Sequence, residues 1–320
     1  MKISLFNTIK KNCKPTSTAI LAVVFLYFFL STSSLWAGDK NFKSAKRIIS
    51  TSPSITETLF ALGLSDRVVG VTDFCEYPAK ACQLPSIGGM INPHMEALVS
   101  LRPDLVIHQS HSARMARNTE TLGIPSMGIE MDTLDDILGS IKFLGSALGV
   151  EKNSEQLQNK LTAGINYYKN KLKGIRPKDT LLLLGDSSDP GRDLYASGPG
   201  TFLHELLEIS GGKNILPDSM AKYPRLTKEF IIEKSPEVII EAGPKSRLTP
   251  EQIEERLKGW KRFPSIRAVQ SDQVHYIGAS YILIPGPRLL NILDQFSRAM
   301  HPDIFPDSLN SKSAQGESVP

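Results

Sequence analysis

The sequence predicts an α/β protein made of two three-layer α/β lobes joined by one long backbone helix. Three observations carry this. Short apolar runs alternate with helical segments between residues 47 and 148, the pattern of a parallel sheet covered by helices. A long amphipathic helix then occupies the middle of the chain. After it the strand–helix pattern restarts, and part of it repeats at a fixed distance.

The elements follow in order. Residues 47–50 (Arg-Ile-Ile-Ser) read as a short buried strand, 55–62 as a helix closed by Gly63, and 68–72 as a second strand. A third strand, 104–109, opens after Pro103, and a fourth covers 125–130. Residues 133–148 are helical up to Gly149. The next helix, 152–173, carries Leu157, Leu161, Ile165, Tyr168 and Leu172 at spacings of four, four, three and four. That is a single apolar stripe on a polar rod. At about 1.5 Å per residue it spans roughly 33 Å, the width of a domain. Strand 181–184, helix 201–209 closed by Gly211-Gly212, strand 236–241, helix 250–257, strand 273–277 and helix 288–300 build the second lobe.

The repeat has an offset of 133 residues. Glu96 stands seven residues before Pro103 in Glu96-Ala-Leu-Val-Ser-Leu-Arg-Pro103-Asp-Leu-Val-Ile107. Glu229 stands seven before Pro236 in Glu229-Phe-Ile-Ile-Glu-Lys-Ser-Pro236-Glu-Val-Ile-Ile240, and Arg47-Ile-Ile falls on Thr180-Leu-Leu. Two related lobes are the economical reading. They are expected at 38–149 and 176–303, with the linker helix at 150–175. Residues 304–320 are expected to form a disordered tail, since no apolar period marks it.

The chain has 320 residues, 37 basic and 33 acidic side chains, and a formal charge of +4. Its first 37 residues hold Lys2, Lys10, Lys11 and Lys14 and no acid, so the rest of the chain is neutral. A neutral chain gives no electrostatic reason to expect nucleic acid. The same 37 residues read as a secretory signal: lysines, an uninterrupted apolar run from Ala19 to Leu30, small residues, then Leu35-Trp36-Ala37. The run is shorter than the ~20 residues that span a bilayer. We expect cleavage after Ala37 and a periplasmic protein. No Cys stands directly after the run, so no lipid anchor is expected. Cys75 and Cys82, seven apart in an oxidising compartment, are expected to form a disulfide, with a reduced metal pair as the alternative.

No G-x-S-x-G, Walker loop or post-strand G-x-G-x-x-G occurs, so no enzyme is expected. Gly198-Pro199-Gly200 reads as a tight strand-to-helix turn. His108 and His111 form an H-x-x-H at the carboxyl end of a strand, where α/β sheets hold ligands. A metal site needs three or more converging ligands, so neither a metal nor a cofactor is expected.

An exported, neutral, two-lobed chain without catalytic apparatus has the features of a solute receptor. Its stretches Arg47-Ile-Ile-Ser-Thr-Ser-Pro-Ser-Ile-Thr-Glu57, Asn92-Pro-His-Met-Glu96, Leu101-Arg-Pro-Asp-Leu-Val-Ile107 and Trp260-Lys-Arg-Phe-Pro-Ser-Ile266 resemble the cobalamin- and siderophore-binding receptors of ABC importers. These are the helical-backbone class (class III) of periplasmic binding proteins, and the resemblance runs over roughly 47–302. Tyr195-Ala-Ser-Gly-Pro-Gly-Thr-Phe202, Tyr223-Pro-Arg-Leu226 and Pro285-Gly-Pro-Arg288 are similar to the cobalamin-binding branch.

The resemblance implies a monomer that captures a corrinoid between its lobes. It also implies delivery to the permease dimer of an ABC importer with its ATPase. Tyr77, Tyr195 and Tyr223 fall where that branch packs aromatics on the corrin. Met90 and Gln109 stand where its type member carries Trp. With Arg288 they make up the expected ligand set. Tyr suits a flat macrocycle fringed with amides, because it offers area at low entropic cost and a hydroxyl to meet them. Glu96 and Glu229 fall on the family's two permease-docking glutamates, one per lobe, and the repeat points the same way. A helical connection implies small closure and a largely preformed site. The alternatives are a ferric-siderophore or haem receptor of the same class, with Arg225 and Arg288 as candidate anion partners, and a metal-dependent exported enzyme using His108 and His111.

Overall fold

A computed structural model describes residues 41–185, 194–243 and 249–306. The leader, 1–37, lies outside the described residues. The first apolar runs form β1 (Ile48–Ser50), β2 (Val68–Gly70), β3 (Leu105–Gln109) and β4 (Ser126–Ile129), a parallel sheet in the order β2-β1-β3-β4. Helices α1 (Pro53–Ala61), α2 (Met95–Ser100), α3 (Ala113–Thr121) and α4 (Leu134–Leu148) alternate with them. Side chains alternate across the sheet with period two, and both faces are covered: Ile48, Leu105 and Ile107 enter one apolar cluster, Ile49 and Val106 another.

The rod-like helix is α5 (Glu151–Lys171), 21 residues and so about 32 Å long. Its stripe is buried at Leu161, Ile165 and Tyr168. The second lobe follows as β5 (Lys178–Leu184), β6 (Tyr195–Ala196), α6 (Phe202–Ile209), β7 (Gly212–Asn214), α7 (Lys228–Lys234), β8 (Val238–Gly243), α8 (Pro250–Trp260), α9 (Arg267–Gln270), β9 (Val274–Gly278) and α10 (Leu289–Met300). Strands β5, β8 and β9 are parallel neighbours; the other edge of β5 carries β7 in parallel and the two-residue β6 antiparallel.

One apolar cluster contains Ile48 and Leu105 of the first sheet, Leu182, Val238 and Ile240 of the second, and Leu161 and Ile165 of α5. The lobes thus share a core through α5 and α10. Gly164 permits that contact, since a Cβ there would stand 2.5 Å from the Leu290 methyl carbons. The 133-residue repeat is visible in the backbone. Helices α2 and α7 occupy corresponding positions, with Leu98 and Ile231 as their buried anchors. Each is followed by a left-handed non-glycine residue, Arg102 (φ 44°) and Ser235 (φ 41°), directly before its proline. The N–H of Lys46 donates to Asp104 Oδ2 (2.8 Å), and the N–H of Asp179 donates to Glu237 Oε2 (3.0 Å) at the same offset.

Two expectations are corrected. Gly212 opens β7 instead of closing a helix. The packed chain also runs further than residue 303: Phe305 is buried with its ring 5.3 Å from that of Tyr168, and Arg298 donates to the Pro306 carbonyl. A lone aromatic among prolines and aspartates shows no period, yet it fills the end of the shared core. Residues 307–320 lie outside the described residues.

Candidate functional site

Two of the expected ligand residues lie at carboxyl ends of parallel strands, Gln109 at the end of β3 and Tyr195 beside Leu184 at the end of β5, the usual place for a ligand in α/β folds. Tyr77 lies in the loop after β2 and Gln109 ends β3, where its Nε2 donates to Ser54 Oγ (3.4 Å) at the start of α1. Met90 is a half-exposed residue of the loop between β2 and α2. In the second lobe, segments 194–198 and 222–226 run antiparallel, with Tyr195 opposite Arg225. By alternation Tyr195 and Tyr223 face the same way, and both are about half exposed, whereas Ala196 and Leu226 point inward. Gly198 makes this ribbon possible: its N–H donates to the Lys222 carbonyl (2.7 Å), and a Cβ would stand 2.4 Å from the Ala221 carbonyl oxygen.

Arg288 is engaged by the protein itself. Its Nε and Nη2 donate to Glu57 Oε2 (2.8 Å) and Oε1 (2.5 Å), a fork joining the second lobe to α1 of the first. The guanidinium also lies over the rings of Tyr77 (4.1 Å to the centroid) and Tyr281 (5.1 Å). Side-chain exposure is 2% for Glu57 and 13% for Arg288. Burial pushes the Glu57 carboxyl above its usual range, and the Arg288 fork pulls it back only in part.

A second junction centres on Asp132, just past β4. Its carbonyl accepts from the Phe202 N–H (2.5 Å) at the start of α6, and Glu205 of α6 accepts from the Leu134 N–H (2.6 Å) at the start of α4. Each helix thereby has a first-turn donor satisfied by the other lobe. Lys222 Nζ meets Asp132 Oδ2 at 2.5 Å. Tyr223 stands beside this pair, and its hydroxyl is raised by burial first and by the Asp132 charge second.

The disulfide expectation fails. Cys75 is turned into the core, where its sulfur lies 3.2 Å from both Thr56 Oγ1 and Thr72 Oγ1. Cys82 is exposed and its thiol lies 3.2 Å from the Glu76 carbonyl. The short helical turn Ala81–Gln83 carries Cys82 outward while Cys75 points inward, so a spacing of seven brings the residues near but not the sulfurs. The H-x-x-H is divided in the same way. His108 is buried beside Gly128 of β4, with Nδ1 2.9 Å from the Gln109 carbonyl oxygen, whereas His111 is exposed. Among the described residues no three His, Cys, Asp or Glu side chains come together as metal ligands.

Glu96 and Glu229 occupy the second position of α2 and α7, and both are exposed. Among the described residues neither carboxylate has an ion-pair or hydrogen-bond partner.

A family model described as periplasmic binding protein matches residues 48–281. The chain belongs to this family. A Bacillus subtilis (strain 168) protein, an uncharacterized ABC transporter substrate-binding lipoprotein, is 30% identical over 272 residues, covering 82% of each chain. The vitamin B12-binding protein of Yersinia pestis is 27% identical over 208 residues, 64% of this chain and 72% of that one. Among solved structures, the vitamin B12-binding protein BtuF of Vibrio cholerae matches with a TM-score of 0.68 and 25% identity, covering 80% of this chain and 96% of that one. A periplasmic heme-binding protein of Pseudomonas aeruginosa matches at 0.70 and 23%, covering 81% and 93%. This periplasmic binding protein is therefore an ABC-transporter substrate-binding protein with the class III fold, not an enzyme.

Sequence reasoning missed Glu57, Asp132, Lys222 and Tyr281. Glu57 left a signal, being the one charged residue in the otherwise uncharged stretch from Ile48 to Leu64. The others are ordinary surface residues until the two lobes are brought together.

Proposed function

We propose that this receptor captures a corrinoid of the cobalamin class between its lobes, outside the cytoplasmic membrane, and passes it to an ABC importer through Glu96 and Glu229. One observation carries the ligand class: two cations at the lobe junction are spent on the protein's own carboxylates. Arg288 is forked by Glu57 and Lys222 is paired with Asp132. Beside them the outward side chains are half-exposed Tyr77, Tyr195 and Tyr223, with Gln109, Met90 and exposed Arg225, which is itself engaged within the protein. Such a surface suits a broad, partly apolar macrocycle edged with neutral amides. Haem propionates and the anionic groups of many ferric siderophores call instead for unpaired Arg or Lys. The Yersinia and Vibrio relatives named for vitamin B12 support the same choice. The core shared through α5 supports a small closure around a site formed in advance.

The test is calorimetric titration of the chain from Gly38 with cyanocobalamin, cobinamide, haemin and a ferric siderophore. Tight one-to-one binding of the two corrinoids, with weak or no haemin binding, is expected. Tight binding of haemin or siderophore, with no corrinoid heat, overturns the proposal.

A further inference from the structure

We infer that each docking helix presents an acid and an apolar side chain as one unit, and that the partner is a twofold permease offering a basic residue beside an apolar surface on each of its two subunits. The inference rests on the docking reading of Glu96 and Glu229 and extends it. Val99 lies three residues after Glu96 on α2, and Ile232 lies three after Glu229 on α7. Residues three apart share a helix face. Val99 is 44% exposed and Ile232 38%. A single exposed aliphatic residue needs no explanation. Here both recur at the 133-residue offset, beside carboxylates without partners among the described residues, on helices anchored by the same buried position (Leu98, Ile231). The left-handed Arg102 and Ser235 and the prolines after them hold the two helices by the same device.

The occupant follows from charge and symmetry. Two exposed carboxylates lacking cations are complemented by two cations, and a surface repeated by the pseudo-twofold of the lobes is matched by a partner with a true twofold. On the second lobe Ile232 adjoins Ile231, Trp260, Phe263 and Ile266, with Lys228 beside them.

The experiment measures binding of the chain to its cognate permease–ATPase complex in nanodiscs, at low and high salt, for V99S, I232S, V99S/I232S and E96Q/E229Q. Circular dichroism and ligand titration on each variant confirm an intact fold and cleft. Each serine variant is expected to weaken binding about tenfold and the pair about a hundredfold, the size of well-buried interface truncations. Their salt dependence should match wild type, whereas E96Q/E229Q should flatten it. If V99S/I232S binds within about twofold of wild type while E96Q/E229Q is weakened, the apolar half is wrong and the docking reading stands. If E96Q/E229Q also binds like wild type, both fall.

Discussion

Replacing Arg288 with methionine removes the fork but keeps most of the side chain's volume. Glu57 then remains, 2% exposed, with no cation. Breaking a buried pair from one side typically costs about 3–5 kcal/mol, because the surviving charge is stranded. For a chain of this size that lowers Tm by about 5–10 °C. The pH dependence separates stranded charge from lost packing. Burial already holds the Glu57 carboxyl above 4.5, and Arg288 is what restrains it, so the variant's carboxyl rises further. A carboxyl whose folded pKa exceeds its unfolded one destabilises the fold as pH rises through that window. The deficit of Arg288→Met should therefore be greatest at neutral pH and shrink as pH falls toward 4.5, where Glu57 takes up a proton and is neutral. Adding Glu57→Gln should restore most of the stability, since no charge stays buried.

The assay is urea unfolding followed by tryptophan emission. Of the two tryptophans, Trp36 lies in the leader, so the chain from Gly38 reports through Trp260 alone, 2% exposed in the second lobe. A deficit under about 1 kcal/mol at neutral pH would refute the reasoning, because an exposed pair behaves that way. So would a deficit of equal size at pH 7.5 and pH 5, which would assign the loss to packing.

Further predictions follow from the other groups. Asp132→Asn should change stability by less than about 1 kcal/mol, because the Lys222–Asp132 pair is half exposed, yet it frees a cation in the cleft; haemin titration should gain affinity while cyanocobalamin stays within about twofold. Native protein from Gly38 should react with one equivalent of a thiol reagent, at Cys82, and with a second only in urea, and dithiothreitol should leave Tm unchanged. His275 and His301 are held below 6.5 by burial first, with Lys178 adding to it, so their contribution is present above 6.5 and lost as pH falls; the urea midpoint should drop between about pH 7 and pH 5, less steeply in His301→Gln.

The sheets and the rod helix were legible because they obey local periods. Ile48-Ile49 and Leu105-Val106-Ile107 send neighbours to opposite faces, and Leu161, Ile165 and Tyr168 keep the helical spacing. Contacts between lobes follow no period. Glu57 and Arg288 are 231 residues apart and Asp132 and Lys222 are 90 apart, so their pairing depends on how two finished lobes meet. The cysteines show the opposite error. Compartment and spacing favoured a bond, but Thr56 and Thr72 around Cys75 outweigh them by giving that thiol a polar pocket inside the core.

The repeat is kept on one part of the surface and lost on another. Where it is kept, it is kept in kind: Glu96 with Glu229, Val99 with Ile232, Arg102 with Ser235 in the same left-handed conformation, and Asp104 with Glu237 accepting the same backbone donor. At the strand ends it is not. Met90 corresponds to Tyr223, and Gln109 to buried Ala242. A partner with a twofold axis meets the same surface twice, so both lobes keep one device. A ligand without such an axis meets two different half-sites, and each lobe is free to supply its own side chains. That contrast supports the proposed reading, a receptor between an asymmetric cargo and a twofold permease, and on that reading a cleft variant such as Tyr223→Ala should lower cyanocobalamin affinity without altering permease binding of the empty receptor.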